Sequence, residues 1–401
     1  MAVTKYTNLQ KLMMMYVIAW SISPPLQIDT KYRLLAIGCV AVWFWQYLSH
    51  NSLNLPDIYK YSIGFAVAVA VIGFIKYQDF SSLIKPMGYY LLVFAFILNY
   101  LHRNSWNELE ILIPFVLILL VIFNLKTLSI IHFNPNAARD LVRNDESTYS
   151  YLRQGAGGYG LLYPQVCIFP MMIAWLMRAI RKNRLFFAAG VAWLISYVLF
   201  ILDSGYTIAV VATVVSLIIL FFYKRKSITL AMTVTLVLII LIVWLIGYVP
   251  SVRNFLLDIF DGTKVAKKVN DIYMSVTTDT VADSIFVRMQ AYQTSLTSIL
   301  KFSVLGGLWF GEIGGHSALL DTVAQYGFWG GYLFINMMYC VPMQIKKTTE
   351  NAKCLQIANA SFISTLLITL LNSAPYQFVF LILIFQPILY YDIRKWGNIK
   401  K

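Results

Sequence analysis

The segment Gly314-Gly315-His316-Ser317-Ala318-Leu319-Leu320-Asp321 holds the side chain best suited to acid–base chemistry. The two glycines free the backbone, Ser317 can cap a helix, and the residues after it read as helical, which places His316 at or just before a helix N-terminus. The positive end of the helix dipole disfavours an imidazolium there. A neutral imidazole in that position is ready to accept a proton. A histidine that only caps the helix fits the same residues.

Arg288 stands on an amphipathic stretch in which Ile285, Met289, Tyr292, Leu296 and Ile299 recur at helical spacing, with Asp283 or Ser284 as the expected N-cap. Just off that stripe, its guanidinium is placed either for ordinary headgroup contact or for a bidentate clamp on phosphate. A third group is Arg153-Gln154-Gly155-Ala156-Gly157-Gly158-Tyr159-Gly160, where a fixed charge and a glycine-rich backbone precede an apolar run. Unoccupied backbone N–H groups there would suit an anionic headgroup; a flexible re-entry into the membrane needs nothing more than the glycines. Asp203-Ser204-Gly205-Tyr206-Thr207 reads as a tight turn. No Asp-x-Asp pair, Gly-x-Ser-x-Gly elbow, dinucleotide fingerprint or Walker loop occurs, and no histidine pair has metal-ligand spacing. A metal or a cofactor is therefore not expected.

The elements that must position these residues are membrane spans. Of the 401 residues, 59% are hydrophobic and 12% charged, about half the charged fraction of a soluble domain. The net charge of +14 is spread in short clusters between apolar runs, which points to membrane topology and anionic lipid and away from nucleic acid. The four cysteines show no framework or zinc spacing. With about 20 apolar residues needed per span, spans are expected near 11–27, 34–49, 61–76, 87–102, 109–126, 159–177, 185–202, 206–223, 228–249, 327–343, 356–373 and 376–392. The first lacks a small-residue cleavage site and is read as retained. The expectation is an all-α, polytopic, single integral membrane domain over 1–401 with about twelve spans.

Basic clusters at Arg178, Arg181, Lys182 and Arg184, at Lys224, Arg225 and Lys226, at Lys346, Lys347 and Lys353, and at Arg394, Lys395, Lys400 and Lys401 then all fall on one side. By the positive-inside rule that side is cytoplasmic, as are both termini. Two large extracytoplasmic loops result, about 127–158 and 250–326. His50 and His102 fall on the cytoplasmic side, and His132 lacks a frame like that of His316.

The stretch from Arg288 through Val304-Leu305-Gly306-Gly307, Gly315-His316-Ser317, Leu320-Asp321 and Gln325-Tyr326-Gly327 resembles the last large outer loop of Wzy-type polysaccharide polymerases and the related O-antigen ligases. The span layout is similar as well. Two features depart from the family pattern. The turn at Ser204-Gly205-Tyr206 lacks the Ser-Arg that many relatives carry, and no Arg-x10-Gly spacing occurs at Arg139, Arg143, Arg153, Arg253 or Arg288.

The resemblance implies a metal-independent glycosyltransferase of O-antigen or capsule biosynthesis in the bacterial plasma (inner) membrane. It would move a glycan from a polyprenyl diphosphate carrier to a sugar hydroxyl of another lipid-linked repeat unit. His316 is then the catalytic base and Arg288 a catalytic charge stabiliser, with Arg153 able to share that role. Tyr159, Tyr206 and Tyr292 bind substrate, with Trp309 and Tyr326 as further stacking candidates. Implied partners are the lipid-linked oligosaccharide, membrane lipids, and a chain-length regulator and flippase of the same pathway. An O-antigen ligase and a polysaccharide flippase or other transporter are the alternatives.

Overall fold

The computed structural model describes residues 8–48, 57–79, 106–135, 137–141, 146–182, 184–222, 228–262, 264–277, 283–302, 304, 306, 312–348, 352–373 and 382. Every regular element among them is helical, as expected: α1 Asn8–Ile22, α2 Pro24–Ile28, α3 Thr30–Leu48, α4 Asp57–Tyr77, α5 Trp106–Phe133, α6 Ala137–Asp140, α7 Glu146–Gln154, α8 Tyr159–Lys182, α9 Arg184–Ser204, α10 Thr207–Phe222, α11 Ile228–Tyr248, α12 Pro250–Ile259, α13 Lys264–Thr277, α14 Asp283–Phe302, α15 Ala318–Thr348 and α16 Ala352–Leu371. Between its end turns a helix meets its backbone hydrogen bonds internally, which is what lipid demands.

Five of these helices contain stretches long and apolar enough to cross a membrane: Lys60–Tyr77, Leu112–Phe133, Tyr159–Met177, Arg184–Ser204 and Ala352–Leu371. A sixth arises if Thr233–Tyr248 and Pro250–Ile259, bent by 94°, form one broken span. The protein is thus an all-α, membrane-embedded one, and by length and composition the described helices account for five or six of the twelve expected spans. Those expected at 87–102 and 376–392 lie outside the described residues, apart from Ile382. The first expected span is divided, because Pro24 at the start of α2 cannot continue α1. The span expected at 327–343 begins where α15 breaks: Gly327 has φ 68° and ψ −174° inside the helix. Helix α5 runs to Phe133, past the expected limit of 126.

Helices α8 and α16 form the centre. Within their spans 83% and 72% of residues are buried, against 33–39% in the other three, so lipid covers much of the outer helices and little of these two. Helix α16 packs on α8, α10 and α15, and α9 packs on α5. Several polar groups in this interior pair with one another, since in an apolar medium an unmet donor is costly, although the buried Asn359 Nδ2 of α16 has no partner among the described residues. Asn124 on α5 and Gln165 on α8 exchange amide hydrogen bonds at 3.1 and 2.9 Å. The Trp193 indole of α9 donates to Gln165 at 2.9 Å.

The chain direction sorts the bundle ends. Helix α8 begins at Tyr159 and carries Arg178, Arg181 and Lys182 at its far end, where α9 starts with Arg184. Helices α15 and α16 likewise meet near Lys346, Lys347 and Lys353. The starts of α8, α10 and α15 and the end of α16 therefore gather at the end opposite these basic residues.

Candidate functional site

Three points of backbone contact build that end. Ala318 N–H donates to the Asn372 carbonyl at 2.8 Å, tying the start of α15 to the end of α16. Ser317 caps α15 as its sequence suggests: its hydroxyl accepts from Leu320 N–H at 3.1 Å, while its own N–H donates to the Asp321 carboxylate at 3.1 Å. The other Asp321 oxygen accepts from the buried Ser295 hydroxyl of α14 at 2.5 Å. Ser295 in turn accepts from Gly314 N–H at 2.9 Å. The chain around His316 is thereby pinned between α14 and α15. Gly314 is needed there, since a Cβ would sit 2.0 Å from the Ala291 carbonyl oxygen of α14. Gly306 and Gly327, both with positive φ, make the other close crossing, a Cβ on Gly306 falling 2.2 Å from Gly327 N.

His316 is half-buried beside Arg288. Burial first, then the Arg288 charge, pushes its imidazole below the ordinary histidine range, with Asp321 opposing. The shift runs in the direction expected from the sequence, but its causes are burial and a neighbouring cation rather than the helix dipole. Arg288 donates through Nη1 to the Leu371 carbonyl at 3.4 Å, and the Tyr292 hydroxyl donates to the same oxygen at 3.0 Å. Leu371 ends α16, so its carbonyl is one that the helix leaves unmet, and a cation there also complements the dipole. This contact uses one of the five guanidinium donors. Burial pushes the Tyr292 hydroxyl above its usual range, with Arg288 opposing.

Next to this group stand three tyrosines. Tyr159 stacks on Tyr163 at 5.0 Å and lies 4.3 Å from Tyr206, measured between ring centroids. The Tyr163 hydroxyl donates to Asn372 Oδ1 at 3.0 Å. Tyr163 and Tyr206 are buried; Tyr159 is the partly exposed ring of the three. Tyr206 enters from the turn at Gly205, where φ is 70°.

The structure therefore brings His316, Arg288, Tyr292, Tyr159 and Tyr206 to one end of the bundle. Arg153 is exposed in the last turn of α7, and among the described residues no hydrogen bond or ring contact joins it to His316 or Arg288. The first three amides of the glycine run after it are taken by the protein itself. Gly155 and Ala156 N–H close the end of α7 on Leu152 and Tyr151 carbonyls, and Gly157 N–H donates to Thr127 at 2.8 Å. Arg253 lies apart, its guanidinium 4.1 Å from the Tyr273 ring centroid. Tyr326 packs edge-on to Phe65 at 6.2 Å. Trp309 lies outside the described residues, as do the side chains of Arg139 and Arg143.

The expected helix forms as α14, and its apolar stripe is divided between protein and open surface. Tyr292 and Ile299 turn toward protein, but Met289 and Leu296 are exposed. The packed face carries Ser295 and Ser298 instead. Ser295, Tyr163 and Asn372 are residues of this end that the sequence did not single out, while Asp321 stood in the quoted motif without an assigned role. A tyrosine one turn beyond Tyr159 and an asparagine closing an apolar run were the available signals.

No group of three or more His, Cys, Asp or Glu residues suited to a metal ion occurs among the described residues. A scan against known protein families finds no match, and a search of curated proteins finds none.

Proposed function

We propose that this protein polymerises lipid-linked oligosaccharide repeat units on the outer face of a bacterial plasma membrane, with the basic clusters and both termini in the cytoplasm. The observation that carries the reading is the half-buried His316 beside Arg288, its imidazole pushed below the ordinary histidine range, at the bundle end away from the basic clusters. In the reaction an acceptor sugar hydroxyl attacks the anomeric carbon of the donor, the bond from that carbon to the diphosphate oxygen breaks, and polyprenyl diphosphate leaves. His316 takes the hydroxyl proton. Arg288 meets the charge that grows on the departing diphosphate, and the partly exposed Tyr159 ring offers a stacking surface for a sugar. An apolar groove of about 540 Å³ lined by Val304, Phe328, Trp329 and Tyr332 suits the lipid tail. These residues adjoin the Gly327 break in α15, within the helix that His316 precedes.

A carrier of lipid-linked glycans would need polar groups inside the bundle and broken helices. The Asn124–Gln165 pair and the α15 break favour that second reading, but the amides of that pair are bonded to each other and to Trp193. The deciding experiment is reconstitution of purified protein in liposomes with lipid-linked repeats. Ladders of increasing length support the polymerase. Movement of repeats across the bilayer without any coupling supports the carrier.

A further inference from the structure

Helix α14 has three faces. One, with Arg288, Ser295 and Ile299, packs against protein. A second is apolar and exposed, with Met289, Leu296 and Leu300. The third is polar: Gln290, Gln293, Thr294, Thr297 and Lys301 recur at helical spacing and, with Glu312, line a groove of about 710 Å³. Such a helix lies at the membrane interface, with one side in lipid and the other open to water.

We propose that this groove binds an uncharged oligosaccharide, the glycan of the acceptor chain. The inference rests on the polymerase reading and adds to it a place for the growing product. Primary amides and hydroxyls both donate and accept hydrogen bonds, as sugar hydroxyls do. Among the described residues the lining carries one cation and one anion, so neither a polyanion nor a polycation is matched. Phe302 adds an aromatic surface at the end that holds Lys301. The volume lies within the range of about 300–1,000 Å³ usual for small-molecule sites, enough for a few sugars. The lining is too polar for the lipid tail, which the Val304–Tyr332 groove fits. The wall of the groove also leads to the base. Ser298 donates to the Glu312 carbonyl at 2.6 Å, and Gly314 N–H is held by Ser295 at 2.9 Å. The chain segment that bounds the groove therefore continues directly to His316.

The test is direct binding, using oligosaccharide of two to three repeats released by mild acid from the surface glycan of the host strain. Saturation-transfer NMR on protein in nanodiscs reads the contact. Two variants are compared with the wild type at matched abundance and thermal midpoint: Gln293→Ala with Thr297→Ala, which removes hydrogen bonds, and Gln293→Trp, which fills the groove. Binding should weaken by about tenfold in the first, the loss of two neutral hydrogen bonds, and vanish in the second. Where polymer forms, both variants should make shorter chains. Unchanged binding in both variants, or no binding by the wild type, overturns the assignment. A wild type that binds the oligosaccharide but couples no repeats keeps the groove and removes the polymerase reading.

Discussion

The Ser295 hydroxyl and the Asp321 carboxylate meet at 2.5 Å across α14 and α15, 26 residues apart in the chain. Both are buried, and each has a second partner, Gly314 N–H for Ser295 and Ser317 N–H for Asp321. The pair fixes the position of the chain on either side of His316. Asp321→Ala strands the Ser295 hydroxyl and the Ser317 N–H, and a buried polar group without a partner costs about 1–3 kcal/mol. The thermal midpoint in detergent should fall clearly for Asp321→Ala and less for Asp321→Asn, which keeps an acceptor. An unchanged midpoint in Asp321→Ala would show that the carboxylate is not structural.

Gly314 and Gly315 should respond differently to alanine. At Gly314 the new Cβ meets the Ala291 carbonyl oxygen at 2.0 Å, and backbone must move to admit it. At Gly315 no atom lies within 4 Å, but φ is +75°, a conformation that costs a non-glycine residue about 1–2 kcal/mol. Gly314→Ala should abolish coupling of repeats, whereas Gly315→Ala should reduce it modestly. Equal activity of the two variants would contradict the close packing of this segment on α14.

Much of the helical frame was legible, because the expected apolar runs and the helices coincide closely from α8 to α11. The Ser317 cap was legible too, since a hydroxyl before a helical run acts locally. The face of α14 was not. Met289 and Leu296 are apolar and exposed, while the buried residues that face the protein are Ser295 and Ser298. Hydrophobic periodicity finds the side of a helix that avoids water, and lipid serves that side as well as protein does. Tyr163 and Asn372 stand 209 residues apart, and no spacing rule reaches across such a separation. In the glycine run after Arg153 the use of the first three amides was not legible, because they close α7 and meet Thr127, a residue about 30 positions away on α5.

The proposed topology rests on the sorting of the bundle ends. Cysteine introduced at Asn270, an exposed position on α13, should react with an impermeant maleimide in intact spheroplasts. Cysteine at Asn183 or Thr348, beside the basic clusters, should react only after lysis. Labelling of Asn183 in sealed spheroplasts would invert the orientation and place the His316 end inside.

Arg288 bears on both the frame and the reaction. Its Nη1 contact with the Leu371 carbonyl is 3.4 Å long, so its loss should lower stability little. If the guanidinium meets a departing diphosphate, Arg288→Ala should cut the transfer rate by about 10²- to 10³-fold, the usual cost of losing one preorganised stabilising donor. Arg288→Lys should recover part of this, since an ammonium lacks the planar fork. Arg253→Ala, at the Tyr273 ring, should leave the rate nearly unchanged. Full activity of Arg288→Ala at normal abundance would reduce this side chain to a helix cap.

His316 gives the sharpest expectation, because a base and a cap predict different pH behaviour. Burial and Arg288 lower its pKa from the ordinary 6.5. The folded state thus disfavours the imidazolium. The stability linked to the neutral form is complete above pH 6.5 and is lost as pH falls through the lower folded value. A reaction that needs the neutral imidazole should show an acid limb with its midpoint below 6.5. Removing the Arg288 charge should raise the His316 pKa, and Asp321→Asn should lower it. Isotope-labelled histidine NMR can follow both shifts, as the chain holds four histidines. As the base, His316→Ala should lose about 10²- to 10⁴-fold in rate while inserting normally, and His316→Gln should be nearly as inactive. As a cap, glutamine should retain most activity and alanine should lower abundance. Near-normal chain length from His316→Ala at wild-type abundance would remove the histidine from the chemistry, leaving Arg288 to act by charge alone.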